Sequence, residues 1–169
     1  LIFAHDDVTL RDGTARVLGM PVRFTLARDA GGVRIRATGR AEAADLRQHI
    51  ANPLLSYLSG AADWNGTVTL IARRADLVLE SDLRGLSSTL PAPLFKAAGT
   101  SLPFKIERKA RSADQDFVGF SLGTLISGQL IVDQTDAARI ERGEVRIGEK
   151  APPPQRQGLW FAGKLDSLD

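Results

Sequence analysis

The stretch of residues 62–96, ADWNGTVTLIARRADLVLESDLRGLSSTLPAPLFK, does most to limit the folds open to this chain. Val68, Leu70 and Ala72 alternate with Thr67, Thr69 and Arg73, so an extended strand here has one apolar and one polar side. A short polar connection over 73–76 leads into Leu77, Leu79 and Leu83, set against Val78, Glu80 and Asp82. Period-two alternation on both sides of a short connection predicts two half-buried antiparallel strands. The next segment, Arg84 to Leu94, contains Pro91 and Pro93. These exclude a helix interior and remove two ladder donors, so strand pairing must stop there. Leu86, Leu90 and Leu94 are expected to hold this irregular segment against an apolar surface, at least partly buried.

The same period recurs along the chain. Val22, Phe24 and Leu26 alternate with Arg23, Thr25 and Ala27, and the turn Asp29-Ala30-Gly31-Gly32 leads into Val33, Ile35 and Ala37 against Arg34, Arg36 and Thr38. Ile2 and Phe3 are expected in a strand, and Asp12-Gly13 reads as a tight turn between residues 8–10 and 15–18. Phe104 and Ile106 alternate with Lys105 and Glu107, and strands are predicted over 117–122 and 125–133 with Gly123 turning between them. A further strand over 139–147 is interrupted at Gly143, and Leu159, Phe161 and Leu165 mark a last one. Residues 42–58 change period: Leu46, Ile50, Leu54 and Leu58 lie four apart, which predicts an amphipathic helix. Pro53 divides it into two short helices, and Ser59-Gly60 is expected to end the second.

The fold class is therefore mainly β: a curved, twisted antiparallel sheet with a short helical insertion. The expected organisation is one unit over 1–148 with its insertion at about 42–58, a Pro-rich linker over 149–157, and a strand over 158–169 that begins a further unit. The chain opens in mid-pattern at Leu1, so it is expected to be a piece of a longer protein.

Composition narrows the function classes. Lys and Arg number 22 against 20 Asp and Glu, a net charge of +2 with both signs scattered, which argues against a nucleic-acid partner. Cysteine is absent, which removes disulfides, thiolate nucleophiles and Cys-ligated zinc. No apolar run approaches the roughly 20 residues of a membrane-spanning helix. His5-Asp6-Asp7 is the one local candidate for a metal, and it reads better as a strand end; His49 reads as a helix boundary residue. In Asp63-Trp64-Asn65-Gly66, the Asn-Gly pair is turn chemistry and Trp64 an apolar anchor. Ser87-Ser88-Thr89 lacks a paired base and a nucleophile elbow. Gly119, Gly123 and Gly128 are spaced for strand bends and close approach, not for a phosphate cradle. These residues predict no enzyme, no metal and no cofactor.

The segment SDLRGLSSTLPAPLFKAAG, preceded by PLLSYLSGAADWNGTVTL, resembles the YhdP branch of the AsmA-like proteins, over roughly residues 9–109. Its signature loop is carried here by Gly85, Leu86, Ser87, Ser88, Leu90, Pro91 and Pro93. The resemblance implies a non-enzymatic periplasmic segment of an inner-membrane-anchored protein of the Gram-negative envelope, and a slice of a longer β-groove. Such a groove shields phospholipid acyl chains in transit between inner and outer membranes, each shielded methylene contributing about 0.8 kcal/mol. The implied partners are phospholipid acyl chains, with both membranes reached through other parts of the parent protein. The lipid-facing candidates are Val33, Ile35, Val68, Leu70, Leu77, Leu79, Phe104 and Ile106. The alternative is a structural spacer or protein-interaction module of the envelope with no lipid contact, recruiting partners at an open sheet edge. A fully packed core would favour that alternative, and carboxylates gathered with Trp64 in one pocket would favour a hydrolase or glycan-binding module.

Overall fold

The computed structural model describes residues 2–4, 7–29, 31–72, 74–135 and 138–163. Its elements in chain order are β1 (Ile2–Ala4), β2 (Asp7–Val17), β3 (Met20–Asp29), β4 (Gly32–Glu42), helix α1 (Ala43–His49), a 3-10 helix (Pro53–Tyr57), β5 (Leu58–Ile71), β6 (Arg74–Ser81), β7 (Leu86–Ser88), β8 (Phe104–Ala110), β9 (Gln115–Leu122), β10 (Ile126–Asp133), β11 (Arg139–Ile147) and β12 (Gly158–Gly163). Among the described residues, 11 strands form a single open, curved sheet, as the alternation predicts. Sheet order follows chain order from β1 to β12, except that β7 leaves the path and pairs with the start of β5. Short connections favour this meander because they can only join antiparallel neighbours.

β12 departs from the antiparallel pattern. It lies parallel to β11, with Gly143 opposite Leu159 and Val145 opposite Phe161. The Pro-rich segment before it makes the crossover and is tied to β10 on the way. The Ala151 amide donates to Ser127 Oγ at 2.7 Å, and Gln129 Nε2 donates to the Ala151 carbonyl at 2.6 Å. Residues 158–163 thus extend the same sheet, and Leu165 lies outside the described residues.

Besides shifts of strand ends, with residues 74–76 opening β6 and Leu83 falling after it at positive φ, three local expectations are corrected. Asp12-Gly13 is not a turn: β2 runs through it with a bulge between Leu10 and Gly13, and the chain reverses at Leu18-Gly19, both at positive φ. Gly13 is needed for packing, since the Phe24 ring on β3 occupies the space a Cβ would take. Asn65-Gly66 is likewise mid-strand in β5, paired with Glu80 and Leu79. Trp64 lies across glycines there, its ring 2.8 Å from the position of a Cβ on Gly39.

The third correction concerns the helical insertion. Two short helices form on either side of Asn52-Pro53, but α1 ends at His49 and Ile50 is extended. Residues four apart then no longer share a face, so Ile50, Leu54 and Tyr57 are exposed, while Leu46 and Leu58 remain half-buried. Ser59-Gly60 falls inside β5 instead of ending a helix. What α1 buries is Ala43, against Ala62 and Leu86, with Leu58 and Leu83 packed on this cluster.

The loop over 82–103 is held from inside by a lysine. The Ser88 amide donates to the Lys96 carbonyl at 2.9 Å and the Lys96 amide donates back at 3.1 Å. Lys96 is only 6% exposed, and its Nζ donates to the carbonyls of Leu86 at 2.7 Å and Ala97 at 3.2 Å. Burial holds this ammonium below the usual lysine range, opposed in part by Asp82. The unfolded chain therefore binds the proton more tightly, and the resulting penalty is relieved as pH rises through the folded pKa towards 10.5. Replacing Lys96 by Met leaves the Leu86 carbonyl without its donor, a loss expected to be about 1–3 kcal/mol. Urea melts at neutral and alkaline pH are expected to show that deficit widening with pH, because only the wild type gains stability on the alkaline side.

Candidate functional site

Side chains alternate between the two faces of a strand, and across a register without slips the residues of one face align in rows. One row runs through Phe24, Ala37, Gly66, Leu79, Ile106 and Phe120, and continues through Gly128 and Val145 to Phe161. The next runs through Leu26, Ile35, Val68 and Leu77 to Arg108, then through Val118 and Leu130 to Gly143 and Leu159. Val33 and Leu70 face each other in a third row, and Phe104 pairs with Leu122 in a fourth. All of the lipid-facing candidates therefore share one face of one sheet.

Among the described residues, no second layer covers that face over most of its area. Substantial contacts between elements join sheet neighbours, apart from those of α1, the 3-10 helix and β7 with β4 and β5. The buried apolar residues among those described are Met20, Val22, Ala43, Ala61, Ala62, Leu86, Ile131 and Ala151. None of the candidates is among them: Leu70 is 36% exposed and the others are half-buried. Neighbouring side chains shield one another along the rows, while the outer surface of each remains open.

The opposite face is more polar, although Val78, Phe117 and the buried Ile131 lie on it. Thr14, Arg23, Thr38, Asn65, Glu80 and Lys105 form a row that continues through Ser121 and Ser127 to Arg146. Glu80 pairs with Lys105 at 3.0 Å, and that hydrogen bond keeps Lys105 charged to above its usual range. A broad concavity of about 1330 Å³ opens on this side, lined by Arg40, Asp63, Trp64, Glu80, Asp82 and Lys105 among others, so carboxylates do gather with Trp64 in one pocket, although Asp63 and Glu80 are each ion-paired, with Arg40 and Lys105. An acyl chain laid there would strip water from charges of both signs.

The two long edges of the sheet also differ. The three long connections, over 43–57, 82–103 and 148–157, all leave from one edge, whereas β3–β4, β5–β6, β8–β9 and β10–β11 are joined by short turns at the other. The signature loop belongs to the first edge. Within it, Gly85 is at positive φ, and Leu86, Ser87 and Ser88 pair with Gly60, Ser59 and Leu58. Leu86 and Ser88 are buried, Leu90 and Leu94 are half-buried, and Pro91 and Pro93 are exposed. Ser87 Oγ donates to the Ser59 carbonyl at 3.3 Å, so its hydroxyl is engaged in closing the loop. This loop clamps the start of β5.

His49 Nδ1 sits 2.9 Å from the Asp45 carbonyl at the exposed end of α1, and His5 lies outside the described residues. Among the described residues no three His, Cys, Asp or Glu side chains gather as a metal site would require.

Two features of the face are not legible in the sequence. Arg108 follows Phe104 and Ile106 on the apolar side of β8, and Asp116 precedes Val118 and Phe120 on the apolar side of β9. Arg108 Nε donates to Asp116 Oδ2 at 2.6 Å, and Gln134 Nε2 donates to the same oxygen at 3.0 Å. The available signal was a charge at the end of each alternating run, but a charge at a strand end is ordinary on a surface. Only the pairing places the two together.

No helix among the described residues is long and apolar enough to cross a membrane. No curated protein and no solved structure matches the chain. The family model described as YhdP protein matches residues 1–169. With its open sheet and its signature loop at one edge, this chain belongs to the YhdP family of AsmA-like proteins.

Proposed function

We propose that this chain is a periplasmic segment of an inner-membrane-anchored envelope protein, and that its apolar sheet face shields phospholipid acyl chains on their way between the two membranes. The observation that carries this reading is the set of rows, apolar across most strands, half-exposed and over most of their length without a second layer. A row advances by about 4.8 Å per strand, so this sheet would supply roughly 50 Å of such a path. Shielding ten methylenes gives about 8 kcal/mol of gross transfer energy before the costs of binding are subtracted. Nothing in this process forms or breaks a covalent bond.

Photo-crosslinking residues placed in the full-length protein test the reading. Positions Val68 and Leu77 on the apolar face are expected to capture phospholipid, and positions Thr67 and Val78 on the other face are not. Equal capture on both faces, or none on either, would favour a structural spacer. A charge on the path is the corresponding loss-of-function experiment. Leu79 is half-buried in the middle of a row, so aspartate there remains partly hydrated and the sheet is expected to survive. Phospholipid transport by the full-length Leu79→Asp protein is expected to fall to background with its far-UV circular dichroism unchanged. Normal transport by that folded variant would count against the conduit.

A further inference from the structure

The apolar face is not uniform along its strands. At its paired positions the charged residues are Arg28, Arg108 and Asp116, and all of them lie towards the edge with the short turns. The rows nearer the other edge are uncharged: Val22 faces Gly39, which faces Trp64, and Phe104 faces Leu122 and Ser81. On β3 the apolar side runs from Met20 to Leu26 before Arg28, roughly 20 Å of strand, which exceeds the ~15 Å of acyl chain in one bilayer leaflet. A lipid lying along the strands would fit its tails to the uncharged part and bring its polar end to the arginines.

We infer that the short-turn edge is the headgroup side of the path, with Arg28 and Arg108 contacting the phosphodiester of a glycerophospholipid whose tails point to the edge carrying α1 and the signature loop. This rests on the conduit reading and gives it an orientation. Arg108 is built for a passing contact. Asp116, buried to 3% exposure, takes Nε and Nη2 through one oxygen, while the Arg108 side chain stays 41% exposed and Nη1 has no partner among the described residues. The fork keeps donors suited to phosphate, but its charge is already balanced by the carboxylate. Balanced charge makes the contact weak, and a conduit needs sites that are entered readily and left readily. Arg28 is exposed and four strands away, roughly 19 Å along the path, so a phosphate released by one arginine has a second within a lipid's reach.

The test uses the full-length protein with phosphatidylethanolamine–phosphatidylglycerol vesicles containing a photoreactive phospholipid, the diazirine being on either the headgroup or the end of an acyl chain. Modified residues are mapped by mass spectrometry. The headgroup probe is expected to mark β3 and β8 near Arg28 and Arg108, and the tail probe the rows of Trp64 and Phe104. In Arg108→Leu/Asp116→Leu, which removes both charges together, headgroup labelling of β8 should fall several-fold with tail labelling retained. Arg28→Leu, at an exposed position, should do the same at β3 and guards against a folding defect in the double variant. Headgroup labelling spread equally over both edges, or unchanged in both variants, would overturn the orientation while leaving the conduit standing. Absence of any labelling on the apolar face would remove the conduit and the orientation with it.

Discussion

Alanine at Gly85 is expected to destabilise the protein by about 3 kcal/mol or more, from strain of about 1–3 kcal/mol in the backbone and a similar cost of overlap. Gly85 has φ +94, a conformation that residues with a Cβ adopt only under strain, and an alanine Cβ would stand 2.5 Å from the Ala61 carbonyl oxygen. The obstacle is backbone, so no rotamer change relieves it. Movement is blocked as well, because the Gly85 amide donates to the Ala98 carbonyl at 2.7 Å and the Ala61 amide donates to the Gly85 carbonyl at 3.3 Å. Gly60 opposite has φ +85 and comes just as close to the Gly85 carbonyl, so neither chain can retreat. Gly99 in the same loop provides the control: nothing lies within 4 Å of a Cβ there, and its alanine variant should be near neutral. Urea unfolding of both variants checks this. Equal midpoints would mean that the tight approach of the loop to β5 does not exist in solution.

Arg108→Leu is expected to cost about 3 kcal/mol, more than its exposure suggests, since removing one member of a pair leaves the other buried and uncompensated. The Asp116 side chain is 5% exposed against 41% for Arg108, so the carboxylate bears the loss, left with Gln134 as its one donor. Asp116→Leu should be milder, because the freed guanidinium can turn towards water. Replacing both by leucine should recover most of the loss, as two apolar side chains suit this face. A thermodynamic cycle measured by urea unfolding reads out the coupling directly. If the single Arg108 and double variants are equally unstable, the two charges are not paired in the folded protein.

Alternation of Val68 and Leu70 with Thr67 and Thr69, repeated at Ile35, Leu77 and Ile106, already determines which side chains share a face, because a strand offers only two directions. The prolines and leucines of the signature loop likewise determine that β6 is not followed directly by a long strand. Glycine roles were not legible. Gly13 and Gly66 look like turn residues in the chain, yet both lie within strands, and the missing Cβ atoms of Gly13 and Gly39 make room for Phe24 and Trp64, aromatic rings that only strand pairing brings near. The same holds for the four-residue spacing of Leu46, Ile50 and Leu54, whose shared face vanished when α1 stopped at His49. Lys96 reads as a surface lysine until the Leu86 carbonyl is placed against it.

Periodicity along a chain is a local property, settled by the geometry of successive residues. It assigned the apolar face. Whether that face is covered, which edge carries the long connections, and that Arg108 meets Asp116 beside Gln134 are contacts between distant residues. Those depend on register and sheet order, which a repeat of two leaves open, and the tertiary structure alone decided them.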